Sequence, residues 1–245
     1  MKAYTSVAEY YDRLNDGVDY EKWADFLALE LGEVRSVLDL ACGTGNMTFA
    51  LEARGYDMIG CDLSCDMLAK AREKAEALSS RALFLQQDMT ALDLYGTVGG
   101  VVSCLDSINY LLSCDALYMC FSGVYKFLEK GGVFIFDCNT PCKFATVYGK
   151  NDYILEDDGV LLAWHNEYNE KKRTCDFILD LFTENGDGSY TRSTEYQRER
   201  CYSMRTLKKV AQNAGFTVKN VVSDFEGTPA KETDERWYFI LKKEK

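Results

Sequence analysis

Val37-Leu38-Asp39-Leu40-Ala41-Cys42-Gly43-Thr44-Gly45 runs from a short apolar strand into a turn of small residues, and a helical pattern follows it. Small residues let a backbone approach a ligand closely, and the start of a helix offers it free N–H groups. Two cofactor classes use such a turn. A dinucleotide site wants G-x-G-x-x-G/A; Gly43 and Gly45 fit its first two places, but Thr48 stands at the third.

The same alternation continues outward. Strands are expected at 34–40, 56–62, 82–86, 98–104 and 133–137, with Gly99-Gly100 weakening the start of the fourth. Between them, helical spacing is expected at 49–54, from Ser64 or Cys65 to Leu78, and at 117–128 up to the Gly131-Gly132 turn. Short apolar strands alternating with helices imply a parallel sheet covered on both faces. Upstream, Val7, Tyr10, Tyr11 and Leu14, then Trp23, Phe26, Leu27 and Leu31, form two amphipathic helical patterns separated by Asn15-Asp16-Gly17 and closed by Gly32. Downstream of Asp152, strands at 160–168, 174–182 and 190–200 with short turn clusters between them imply antiparallel hairpins. A helix from Met204 to about Gly215 and strands at 217–225 and 237–242 close the chain. The expected organisation is one domain over 1–245. It comprises a helical lid (1–32), a cofactor core (33–145), an antiparallel β insertion (150–201) and a C-terminal helix with two strands (202–245).

Composition narrows the function. The chain has 245 residues, with 28 Lys and Arg against 39 Asp and Glu, a net charge of −11. That balance disfavours DNA, RNA and anionic membranes as partners, since each calls for clustered cations. No apolar signal-peptide core occupies 1–14, and no stretch has the length of a membrane span. Ten cysteines without a C-x-x-C pair suit free thiols in a reducing cytosol, so a cytoplasmic location is expected; with one histidine, His165, a zinc site is disfavoured.

Three acids carry more information. Asp39, Asp62 and Asp88 each end, or nearly end, a successive expected strand, and the carboxyl ends of parallel strands form the ligand crevice. Each alone could be a turn residue or a helix cap. Asp62 stands where a carboxylate grips ribose hydroxyls, and Asp88 where the amine of an adenine is read.

With D-L-A-C-G-T-G at 39–45, G-C-D-L-S at 60–64 and Q-D-M at 87–89, the chain resembles the class I S-adenosylmethionine-dependent methyltransferases. The similarity continues through Leu105-Asp106-Ser107-Ile108-Asn109-Tyr110, the segment 131–137, Arg200-Cys201-Tyr202-Ser203 and Glu235-Arg236-Trp237-Tyr238-Phe239. It covers nearly the whole chain and is nearest to a poorly characterised bacterial branch assigned to small-molecule methylation. The resemblance implies a Rossmann-like α/β fold, a seven-stranded sheet of order 3-2-1-4-5-7-6 with strand 7 antiparallel, and S-adenosyl-L-methionine as cofactor. It implies that Asp39, Ala41, Gly43 and Gly45 hold the methionine end and that Asp62 binds the ribose, with Leu63 beside the adenine. Met67 packs on the adenine face, or alternatively is a helix core residue. Asp88 accepts from the adenine amine, the Met89 backbone meets a ring nitrogen, and Leu105 lies near the amino-acid part. Tyr11 covers the cofactor, or alternatively anchors the lid.

On the acceptor side the residues leave alternatives open. Asp106, His165 and Tyr11 are the candidate catalytic groups, with Asn109, Tyr110, Asn139, Thr140, Lys143 and Arg200 expected nearby. No triad is evident, and methyl transfer from an activated donor needs mainly alignment and desolvation. The related branch commonly has a histidine near the position of Gln197. No metal is assigned, although Asp106, Asp137 and Asn139 sit where catechol O-methyltransferases hold magnesium. The aromatic-rich hairpins are expected to roof a small-molecule acceptor or to form a homodimer surface. RNA or protein methylation and a non-catalytic cofactor-binding regulator are the alternatives to a small-molecule methyltransferase.

Overall fold

A computed structural model of the chain describes residues 8–244. Val7, expected on the first helix, lies outside the described residues. That helix, α1 (Tyr11–Leu14), is a single turn, too short to persist without tertiary ties. Helix α2 (Tyr20–Leu31) starts where the Asp19 carboxylate accepts from Lys22 N at 2.9 Å, and it ends at Gly32, whose φ is +65°.

The sheet strands are β1 (Ser36–Leu40), β2 (Asp57–Asp62), β3 (Leu83–Gln86), β4 (Val98–Ser103) and β5 (Leu128–Asn139). Helices α3 (Asn46–Glu52), α4 (Cys65–Leu78) and α5 (Cys114–Phe127) lie between them in the chain. Ser64 caps α4 and Ser113 caps α5, each accepting from the backbone N three residues on. The Ser113 cap starts α5 three residues before the apolar periodicity does. Gly99 and Gly100 do not weaken β4, which begins at Val98. A Cβ on Gly99 would meet Val34 Cβ at 2.7 Å, and one on Gly100 would collide with Leu31. The two glycines let the end of α2 and the loop after it cross close above the sheet.

After β5, a short helix α6 (Pro141–Lys143) continues as a π-helical turn over Phe144–Tyr148. A separate antiparallel sheet follows, β6 (Tyr153–Asp157), β7 (Val160–Asn169), β8 (Thr174–Glu184) and β9 (Tyr190–Arg200). β6 lies outside the strands expected from the sequence; none of its residues is fully buried, and its apolar Ile154 faces solvent. Helix α7 (Met204–Asn213) leads to β10 (Thr217–Val222) and β11 (Arg236–Lys242). The large sheet has order β3-β2-β1-β4-β5-β11-β10, with β11 antiparallel to both neighbours. Counted along the sheet this is 3-2-1-4-5-7-6, as expected.

Two apolar layers clothe the sheet. Phe121, Phe134, Phe136, Trp237 and Phe239 fill the side covered by α5 and α7. Trp23, Phe26, Leu27, Val37 and Ile240 fill the side covered by α2 and α3. A third cluster, with Phe144, Tyr148, Phe177 and Leu179, lies under the hairpin sheet, and Tyr10 and Tyr11 pack against it. All ten cysteines are free thiols. Among the described residues no helix is long and apolar enough to cross a membrane.

Candidate functional site

The carboxyl ends of β1, β2, β3 and β4 open onto a cleft of about 570 Å³, within the ordinary range for a small-molecule site. Ala41 and Gly43 line it from the turn after β1, Asp62 to Met67 from β2 and the start of α4, Gln86 to Thr90 from beyond β3, and Leu105, Ser107 and Tyr110 from beyond β4. A narrower compartment joins it behind the glycine turn, walled by Asp39, Cys104, Tyr20 and Met47. Tyr11, Ala41, Gly43, Leu105 and Ser107 line both.

The turn is rigid for visible reasons. Gly45 has φ +84°, where a side chain is strained, and a Cβ there would crowd Phe49 at 3.0 Å and Phe84 at 3.2 Å. Gly45 lines neither compartment; its part is to shape the turn. The Asp62 carboxylate accepts from Gly43 N at 2.9 Å and Ser64 N at 2.8 Å. Burial raises the Asp62 carboxyl, and these amides partly offset the shift. Gln86 Nε2 donates to Leu63 O at 3.1 Å, which fixes the backbone beside the exposed Leu63 side chain. Met67 lines the cleft and is buried in the core. Asp88 Oδ1 accepts from Thr90 N at 2.8 Å and caps the 3-10 turn Met89–Ala91, so its orientation is set at the cleft wall.

Asp39 lies deeper. Its Oδ2 accepts from Thr48 Oγ1 at 2.6 Å. Burial pushes its carboxyl up to about 7, with the Thr48 hydrogen bond acting the other way. A carboxyl raised in the folded state stabilises that state at low pH and loses the contribution as pH rises through the folded value. Asp39→Asn, which keeps an acceptor for Thr48, is therefore expected to gain stability over the parent as pH rises from about 5 to about 8. Unfolding midpoints of both proteins across that range check it; a constant difference would contradict it.

The candidate catalytic groups separate. Burial lifts the Tyr11 hydroxyl well above its ordinary value, so it stays neutral at the junction of the two compartments. Leu105 and Asp106 both take positive φ, +55° and +52°, and this tight turn aims Leu105 into the cleft. It is locked by the next two strands of the sheet, β5 and β11: Asp106 N donates to Asp137 Oδ2 at 3.0 Å, Arg236 Nη2 donates to Asp106 Oδ1 at 2.8 Å, and Arg236 Nη1 donates to Asp137 Oδ2. Burial would raise Asp106, but Arg236 and Lys143 outweigh it and hold the carboxyl below its ordinary value. Burial lifts Asp137 to about 6 despite Arg236. The Arg236 guanidinium stands between the two carboxylates and neutralises them. His165 is not at the cleft. It stands exposed on β7, with Nδ1 2.7 Å from Asp152, because its neighbours Trp164 and Asn166 take the inward-facing turns of the pleat.

The hairpin sheet is joined to the cleft wall through β9. Its inward residues Glu195, Gln197 and Glu199 are buried. Tyr110 OH donates to Gln197 Oε1 at 2.7 Å, and Arg200 Nη1 donates to Leu112 O at 2.9 Å. Asn109 bridges Asn139 O and Arg200 O. Asn139 Nδ2 lies 3.4 Å from Glu199 and its Oδ1 accepts from Lys143 Nζ at 2.9 Å, while Thr140 caps α6. Asn109, Asn139, Thr140 and Arg200 thus tie the wall together. Arg236, Glu199, Tyr20 and Asp12 were not singled out from the sequence, because their partners are distant in the chain.

None of the described residues lining the larger cleft is Lys, Arg or His, while Asp62, Asp66 and Asp88 are among them. Such a lining fits a ligand bearing ribose hydroxyls and positive charge. A model of the "Methyltransferase domain" family matches residues 37–132. The chain is 31% identical over 245 residues to a candidate methyltransferase of Geobacillus sp. (strain WCH70), covering 98% of this chain and 99% of that one. It is 33% identical over 134 residues to the dTDP-3-amino-3,4,6-trideoxy-alpha-D-glucopyranose N,N-dimethyltransferase of Streptomyces venezuelae, covering 52% of this chain and 55% of that one. The structure of an S-adenosylmethionine-dependent methyltransferase from Clostridium acetobutylicum superposes with a TM-score of 0.87 at 31% identity, covering 98% of each chain. Glycine turn, the acid closing β2, strand order and full-length similarity agree: this chain belongs to the class I S-adenosylmethionine-dependent methyltransferases.

Proposed function

We propose that the chain methylates a nitrogen of a small molecule. The observation that carries this is the state of the groups around the cleft. S-adenosylmethionine, held by the glycine turn, Asp62 and Asp88, supplies an activated methyl group, so displacement needs a free lone pair on the acceptor and little else. An alcohol acceptor calls for a strong base beside it. Tyr11 is held neutral, Asp106 is committed to Arg236, and His165 faces away. A neutral amine meets this demand without an enzyme base, and its proton leaves to water after transfer. The hairpin sheet, tied to the cleft wall at Gln197 and Arg200, closes the acceptor side in a way that favours a small molecule over a polymer. The amino-sugar N,N-dimethyltransferase among the relatives supports the same chemistry.

Calorimetry with S-adenosylmethionine and S-adenosylhomocysteine tests the donor; no binding to folded protein would overturn the proposal. Incubation with methyl-labelled cofactor and a metabolite extract, read by mass spectrometry, tests the acceptor; label on oxygen or carbon alone would overturn the nitrogen assignment. His165→Ala is expected to leave donor affinity and any methylation rate unchanged, and a loss beyond about threefold in either would return His165 to the site.

A further inference from the structure

The lid is held by one carboxylate that also holds the glycine turn. Asp12 projects from α1 and lines neither compartment. Its Oδ1 accepts from Thr44 Oγ1 at 2.6 Å and from Asn46 Nδ2 at 2.9 Å, the residues on either side of Gly45. Its Oδ2 meets Lys74 Nζ of α4 at 2.7 Å. Asn46 also accepts from Lys74 Nζ and lines the inner compartment together with Tyr20. Two more ion pairs flank Asp12: Glu9 with Lys70 at 2.6 Å, and Arg13 with Asp157 on β6 at 2.6 Å.

A four-residue helix does not hold its own place. Besides Ala8 and the packing of Tyr10 and Tyr11 under the hairpin sheet, α1 is placed by these charges. They join it to α4 on one side and the hairpin sheet on the other, beside Tyr11 at the cleft. Tyr11 lines both compartments, and Asp12 is the next residue in the chain.

We infer that Asp12 is a positioning residue for the donor site: it latches Tyr11 over the bound cofactor and braces the glycine turn, so that release of the cofactor is limited by opening of an electrostatic latch. The inference rests on the methyltransferase reading. Because the ion pairs are partly exposed, salt weakens them; the screening length falls from about 10 Å at 0.1 M to about 3 Å at 1 M. Release should therefore quicken with salt in the parent protein.

The experiment is stopped-flow release of S-adenosylhomocysteine from the full chain between low and high salt. Asp12→Asn keeps an acceptor for Thr44 and Asn46 but loses the charge that Lys74 meets. It is expected to release the ligand roughly tenfold faster at low salt and to show a shallower salt dependence. Lys74→Gln should act in the same direction and serves if Asp12→Asn fails to fold. Arg35→Gln, which breaks the exposed pair with Asp57 at 2.9 Å far from the lid, should behave as the parent. Unchanged release in the folded variant, or faster release with the parent's full salt dependence, would overturn the latch while leaving the methyltransferase reading intact. A parent protein that binds neither cofactor nor product would overturn both.

Discussion

Arg236→Met is expected to destabilise the protein by about 3–5 kcal/mol, the usual consequence of removing one partner from a buried ion pair. The physical reason is local. Arg236 is the guanidinium between two carboxylates, Asp106 and Asp137, that stand at the ends of β4 and β5. Asp137 is almost wholly buried, and one of its oxygens, Oδ1, already lacks a hydrogen-bond partner. Without the guanidinium, Asp106 keeps Lys143 and Asp137 keeps the Asp106 amide against burial, which drives both carboxyls toward protonation. Asp137→Asn in the same chain should recover part of the loss, because it removes one of the stranded charges. Denaturant unfolding of the parent, the single and the double variant measures this. A single variant within about 1 kcal/mol of the parent would show that the clamp is not held as described.

The same substitution reaches the site. Leu105 and Asp106 hold positive φ, which non-glycine residues adopt only when their surroundings impose it. With Arg236 removed, the turn is expected to relax and Leu105 to leave the cleft wall. Cofactor affinity should fall with stability, and the double variant should recover stability more than affinity.

Asp62→Ala is expected to weaken S-adenosylmethionine binding by about 2–4 kcal/mol, roughly 30- to 1,000-fold, from the loss of charge-assisted hydrogen bonds to the ribose. The substitution acts twice, since Asp62 also accepts from Gly43 N and Ser64 N and so joins the glycine turn to the start of α4. Asp62→Asn keeps one acceptor oxygen and should fall between the parent and the alanine variant. Calorimetry on the three proteins decides the matter, with unfolding midpoints to confirm that each is folded. Parent-like affinity in Asp62→Ala would overturn the ribose assignment.

The two residues differ in how plainly the sequence announces them. Asp62 closes an apolar strand and stands a fixed distance beyond a glycine turn, and both are local properties of the chain. The β-strand period and the parallel order place it at the crevice without knowledge of any contact. The same holds for Asp39 and Asp88. Arg236 sits in a quoted motif, yet its partners are 130 and 99 positions away. Asp12 meets Thr44, Asn46 and Lys74 across 32, 34 and 62 positions, and nothing in its local pattern marks it. His165 is the opposite case: its place on an expected strand near the acceptor side makes it a candidate, and the pleat of β7 turns it outward.

What the sequence determined by itself is the α/β alternation, the glycine turn and the acids that follow β1, β2 and β3. Each depends on periodicity and on residues adjacent in the chain, where backbone geometry leaves few choices. What only the tertiary structure decided is which polar groups meet: Arg236 between Asp106 and Asp137, Asp12 between α1 and the glycine turn, Gln197 and Arg200 against the cleft wall. Those pairings follow from how the second sheet, α1 and β11 come to rest on the rim of the first. Burial then sets the protonation of each group, and a one-dimensional pattern contains neither the neighbour nor the burial.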